Sequence, residues 1–127
     1  MSQLRFVATD SAPKAIGPYS QGVIANGFLY TAGQIAFDPA TMTVVEGDVK
    51  VQTERVMANL DAILKAGGTS LSRVVKTTCF LADMGDFAAF NEVYAKWFGD
   101  HKPARSTVAA KTLPRNVLVE VDVVAVV

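Results

Sequence analysis

The chain has 127 residues, half of them hydrophobic, enough for one core and too few for two ordinary domains. Twelve Lys and Arg balance twelve Asp and Glu, so the formal net charge is zero and nothing draws the protein to a polyanion. A single Cys, Cys79, and a single His, His101, exclude a disulfide framework, a Cys/His zinc site and a haem attachment motif.

Residues 1–10 lack the long apolar core of a signal peptide, and no apolar run approaches the roughly 18 to 20 residues that span a bilayer. A cytoplasmic protein with no membrane or nucleic-acid partner is expected.

In chain order, Arg5-Phe6-Val7 reads as a short first strand. Ser11-Ala12-Pro13 and Gly17-Pro18 then mark a loop, from which Tyr19 emerges. Val23-Ile24-Ala25 and Phe28-Leu29-Tyr30 flank Asn26-Gly27, whose tolerance of positive φ predicts a tight hairpin. Gly33 follows, where the missing Cβ lets another group come close to the backbone, and Asp38-Pro39 opens a turn-rich segment.

From Asp48 the period changes. Val49, Val56, Met57, Leu60, Ile63 and Leu64 fall on one side of a helix that Asp48 can cap and Gly67 can end. The β-branched run Val74–Leu81 predicts a strand. Phe87, Phe90, Tyr94, Trp97 and Phe98 restore helical spacing, with Asp83 or Asp86 as cap and Gly99 as stop. Two strands follow, Ala104–Ala109 and 117–126, expected to form a hairpin through Leu113-Pro114-Arg115-Asn116.

The expectation is one α+β domain over residues 1–127, with about six strands and two helices. Six strands at ~4.8 Å spacing span roughly 25 Å, and two helices cover about 20 Å of one face, leaving the other face bare. Yet the last strand is apolar on both sides, with Val117, Val119, Val121 and Val123 on one and Leu118, Val124 and Val126 on the other. Such a strand needs cover on both faces. The chain has no third helix, so a second copy in a closed symmetric oligomer is the economical cover.

Several residues could carry chemistry. Arg105 stands among small residues at the start of a strand, either as a rigid fork for a small carboxylate or as half of an ordinary ion pair. Glu120 interrupts an apolar strand and shares a face with Asp122; the two acids either have partners or form a solvated strip. In the expected hairpin Arg105 and Glu120 lie near the same open end, and the sequence leaves open whether they meet within one chain or across an interface. Asn91 falls inside the aromatic helical stripe, where its amide needs a hydrogen bond, to a neighbouring loop or at a site. Tyr19 is an aromatic lid or a ligand contact. His101 reads as a surface residue and Cys79 as core.

Together, Ile16-Gly17-Pro18-Tyr19-Ser20-Gln21-Gly22, Thr31-Ala32-Gly33-Gln34-Ile35, Asn91 with Tyr94, Pro103-Ala104-Arg105-Ser106 and Val119-Glu120-Val121 resemble the RidA (YjgF) reactive-intermediate deaminases nearly end to end. The resemblance implies a chorismate-mutase-like (bacillus-type) α+β fold, a mixed sheet with two helices on one face. It also implies a homotrimer with sheets in a central barrel and active sites between adjacent subunits. The implied activity is 2-iminobutanoate/2-iminopropanoate deaminase, which hydrolyses imines from pyridoxal-phosphate dehydratases to 2-oxo acids and ammonia without metal or cofactor.

Carried over by position, Arg105 would clamp the substrate carboxylate and Glu120 would orient or activate water. Tyr19 would line the pocket, the backbone at Gly33 and Thr107 would supply hydrogen bonds, and Asn91 would support the site. Many relatives have Cys where this chain has Thr107, so a mechanism needing a thiol there is excluded. Two other readings are a non-catalytic trimer binding a 2-oxo acid or amino acid, and a ribonuclease or translation inhibitor, which the zero net charge disfavours.

Overall fold

The structure, a computed structural model, describes residues 3–127. Met1 and Ser2, part of the stretch read as lacking a signal-peptide core, lie outside the described residues. Ten principal elements follow in order: β1 (Arg5–Val7), β2 (Gly22–Ala25), β3 (Phe28–Thr31), β4 (Phe37–Asp38), β5 (Thr43–Val44), α1 (Val49–Ala66), β6 (Val74–Leu81), α2 (Phe87–Phe98), β7 (Ala104–Ala109) and β8 (Val119–Val126). Six strands form one mixed sheet in the order β1-β2-β3-β8-β6-β7, and both helices pack on one face of it. Inside the segment read as turn-rich, β4 and β5 pair as a small separate ribbon.

Local chemistry accounts for most boundaries. Asn26 and Gly27 take φ of 51° and 83° and close the β2–β3 hairpin with Ala25 opposite Phe28. The Asp48 carboxylate accepts the Val51 N–H at 3.0 Å to start α1, and the predicted apolar stripe is buried throughout. For α2 the cap expectation needs correction. Asp83 caps the short 3-10 turn before the helix, through the Gly85 N–H at 2.8 Å. Asp86 already has helical φ and ψ and makes no side-chain cap bond.

The expected C-terminal hairpin does not form. β8 lies in the middle of the sheet, antiparallel to β3 and β6, while β7 runs parallel to β6 on that strand's other side. Two physical reasons combine. The β6-α2-β7 unit is a crossover, which makes its strands parallel. The most apolar strand, β8, also buries more in the centre than beside the polar edge strand β7.

Alternation along β8 then divides the molecule. Val119, Val121, Val123 and Ala125 face the helices with Thr77, Cys79 and Leu81 of β6, all buried. Glu120, Asp122, Val124 and Val126 face the other way, onto a side that no helix covers. Phe6 and Tyr30, 68% and 48% exposed, are on that open side, since each pairs through Val23.

Candidate functional site

Arg105 sits on the edge strand β7, level with Thr77, and so points to the helix side of the sheet. There α2 presents Phe87, Asn91 and Tyr94, one stripe at helical spacing. The guanidinium lies 4.8 Å from the Tyr94 ring centroid and 5.3 Å from that of Phe87, and its Nη1 donates to the Asn91 Oδ1 at 2.6 Å. The ion pairs among the described residues are Lys50–Glu92 and Lys65–Asp61, so no carboxylate neutralises Arg105. It borders a cavity of about 420 Å³ with Phe98, His101, Lys102 and Pro103. Most of its five donors remain available to a ligand entering that cavity.

The surroundings of this fork are tied down. The Tyr94 and Thr77 hydroxyls are 2.8 Å apart, and burial pushes the Tyr94 phenol up. Cys79 is a core residue as expected, its thiol also pushed up by burial. Thr107 shares the Arg105 face, and its buried Oγ1 has no hydrogen-bond partner among the described residues. His101 departs from the surface reading. It is half-buried, and its Nε2 donates to the Val74 carbonyl at 2.6 Å, where the pairing of β6 with β8 is irregular.

Glu120 belongs to a different place. It is level with Phe80, three residues along β6 from Thr77, so alternation puts Arg105 and Glu120 on opposite faces. Strand spacing and rise set their Cα atoms roughly 14 Å apart. The expectation that they share one open end fails because it assumed β7 next to β8. On its own face Glu120 lies against the Gly33 backbone so closely that a Cβ at position 33 would overlap the carboxylate. The loop holding Gly33 is pinned to β8 by paired bonds between Gln34 and Val121, at 2.8 and 3.1 Å. Burial raises the Glu120 carboxyl, and the Asp122 charge raises it further. Asp122 is itself raised by burial, against the opposing pull of Lys76.

A second cavity of about 390 Å³ opens at Glu120, with Tyr19, Gly33, Phe37 and Arg115 in its wall. Tyr19, half exposed, stands at its rim rather than over the core. Two amides that the sequence reading did not single out hold this wall. Gln21, 4% exposed, accepts the Thr9 N–H and donates to the carbonyls of Thr9, Ala12 and Pro13 at 2.7 to 3.3 Å. Asn59, fully buried on α1, donates to the carbonyls of Ile35 and Phe37 at 3.2 and 3.0 Å and accepts from Arg55 at 2.9 Å. A signal was present: Gln52 and Asn59 are polar breaks seven residues apart on the apolar side of α1, and Gln52 bonds the Leu118 N–H.

The chain thus presents Arg105 at a cavity on one face and Glu120, with Arg115, at a cavity on the other. Among the described residues no group of three or more His, Cys, Asp or Glu could hold a metal ion, and no helix is long and apolar enough to cross a membrane.

Known proteins are similar over nearly the whole length. A RutC family protein of Pyrococcus horikoshii is 52% identical over 119 residues, 94% of each chain. The chloroplastic Reactive Intermediate Deaminase A of Arabidopsis thaliana is 45% identical over 94% of this chain and 64% of its own length. A Thermotoga maritima crystal structure matches with a TM-score of 0.95 at 54% identity, covering 97% of both chains. The Escherichia coli protein TdcF, solved with bound serine, matches with a TM-score of 0.92 at 39% identity over 97% and 98% of the two chains. The family model described as Endoribonuclease L-PSP matches residues 9–127. On these grounds the chain belongs to the Endoribonuclease L-PSP family, the RutC and Rid proteins.

Proposed function

We propose that the chain is a 2-imino acid deaminase acting on small imines such as 2-iminobutanoate and 2-iminopropanoate. It works as a homotrimer whose sites lie between adjacent copies. The observation carrying this reading is the placement of two groups on opposite faces, an Arg105 fork and a Glu120 carboxylate, each outside any ion pair of the described residues and too far apart for one small acid in a single chain. A small acid clamped by Arg105 cannot reach the Glu120 of the same chain. A second copy laid on the open face brings one chain's fork to its neighbour's carboxylate and covers Phe6 and Tyr30. The serine bound in TdcF supports a small amino-acid-like ligand, and the name of the plant relative, a reactive intermediate deaminase, supports the chemistry.

In this scheme Arg105 binds the substrate carboxylate through its fork, while Asn91 and the Tyr94 ring hold the guanidinium in place. The protonated imine lies toward Glu120. Glu120 takes a proton from water as the water oxygen bonds to the imine carbon and the C=N π pair moves to nitrogen. The resulting carbinolamine then collapses. The proton held by Glu120 passes to the nitrogen, the C–N bond breaks as the hydroxyl oxygen forms the C=O bond and gives its own proton to Glu120, and the departing ammonia carries that proton off as ammonium, leaving a 2-oxo acid. Gly33 and Thr107 offer backbone groups beside the reacting atoms, and Tyr19 closes the rim.

A non-catalytic binder would use the same fork, and only turnover separates the two readings. A ribonuclease reading finds no support in the zero net charge. The test is a threonine dehydratase reaction containing semicarbazide, with and without the protein. Wild type is expected to reduce the trapped imine, and Arg105→Ala to lose that effect. Trapping unchanged by wild-type protein leaves the binder as the better account.

A further inference from the structure

The Glu120 cavity contains a second guanidinium that the proposed hydrolysis does not use. Arg115 and Glu120 are the two charged residues in its wall, and the rest is largely apolar, including Pro13, Ile16, Phe37 and Pro114. Arg115 is in neither ion pair of the described residues; its guanidinium stacks 5.3 Å from the centroid of Phe37, a ring only 7% exposed. That contact fixes direction without using the fork's hydrogen-bond donors.

The backbone at this point is also unusual. Arg115 has φ 58° and ψ 19°, and Asn116 follows at φ 55°. Asn116 tolerates this region, but Arg115 does not favour it, and such a conformation is retained where the surrounding structure fixes a side chain in a defined place. Here the turn holds an exposed cation at the wall of a largely apolar pocket, over the Phe37 ring.

From these observations we infer that Arg115 is a second anion anchor, and that the site accepts 2-imino acids carrying a distal carboxylate, the imines of dicarboxylic amino acids. The 2-carboxylate goes to the Arg105 fork of the adjoining copy, the intervening methylene groups lie against Ile16 and Phe37, and the distal carboxylate meets Arg115. This substrate class rests on the deaminase reading; the anchor itself does not. A reaction that oxidises an acidic amino acid to its imine would supply such a substrate.

The experiment compares 2-iminobutanoate with 2-iminobutanedioate, the latter made from aspartate by a flavin-dependent oxidase with catalase present. Competition with semicarbazide gives kcat/KM for each. Wild type is expected to hydrolyse both. Arg115→Met is expected to lower kcat/KM for the dicarboxylic imine about 10-fold or more, while 2-iminobutanoate stays within about 2-fold, as loss of one charge-assisted bond requires. The anchor is overturned if wild type hydrolyses 2-iminobutanoate but ignores the dicarboxylic imine, or if the substitution affects both imines alike or neither.

Should wild type hydrolyse no imine at all, the functional reading fails and calorimetry decides the anchor separately. Binding of 2-oxobutanedioate about 10-fold tighter to wild type than to Arg115→Met, with 2-oxobutanoate unaffected, supports it. Equal affinities for the two proteins overturn it.

Discussion

Gly33 and Glu120 meet so closely that a single added atom would part them. Because a Cβ at position 33 would overlap the Glu120 carboxylate, Gly33→Ala must push that side chain aside. A displacement of this kind is expected to reduce kcat by about 10- to 100-fold while circular dichroism stays unchanged. The raised Glu120 carboxyl fixes the pH response. It takes up a proton at higher pH than an exposed glutamate, so turnover that needs the carboxylate falls on the acid side, beginning above the ordinary carboxylate range. Glu120→Gln is expected to lower kcat by about 10² to 10⁴ and to remove that limb from the pH–rate profile. Stability moves the other way. A raised folded value favours folding below the unfolded value and loses that contribution as pH rises through the folded one. Glu120→Gln is therefore expected to leave the urea midpoint at pH 7 unchanged or higher, a separation of activity from stability seen where a site holds a desolvated charge.

Among the elements, α1 does two jobs that its sequence makes unequally visible. Its apolar stripe was legible because helical periodicity is local, and the β2–β3 hairpin was legible because Asn26-Gly27 suits positive φ at both positions. The role of Asn59 was hidden, since its partners Ile35 and Phe37 are more than twenty residues away and nothing nearby predicts that contact. Asn59→Ala strips both carbonyls of a donor inside the protein and is expected to destabilise the fold by about 3 kcal/mol in urea unfolding. It should also lower kcat, because the wall of the Glu120 cavity loses its tie to the helix. The order of β6, β7 and β8 was hidden for a similar reason. Their apolar patterns fix which faces are buried, but strand neighbours are chosen by burial over the whole sheet, and the central place went to β8. Placing β7 beside β8 put Arg105 and Glu120 near the same open end, which the sheet order forbids.

For the whole molecule, the correction strengthens the case for assembly. The sequence already left one sheet face without cover, and the structure sets Arg105 and Glu120 on opposite faces, so a small acid can touch both only where two chains meet. This claim has a direct test that needs no structure of the complex. Arg105→Ala and Glu120→Gln, each expected to be inactive alone, are unfolded together in equal amounts and refolded, and mixed oligomers are verified by native mass spectrometry. Sites shared between neighbours then combine an intact Arg105 from one variant with an intact Glu120 from the other in about a quarter of cases. Recovery of about a quarter of wild-type deaminase activity is the predicted result. Mixed oligomers no more active than the two separate variants would contradict it.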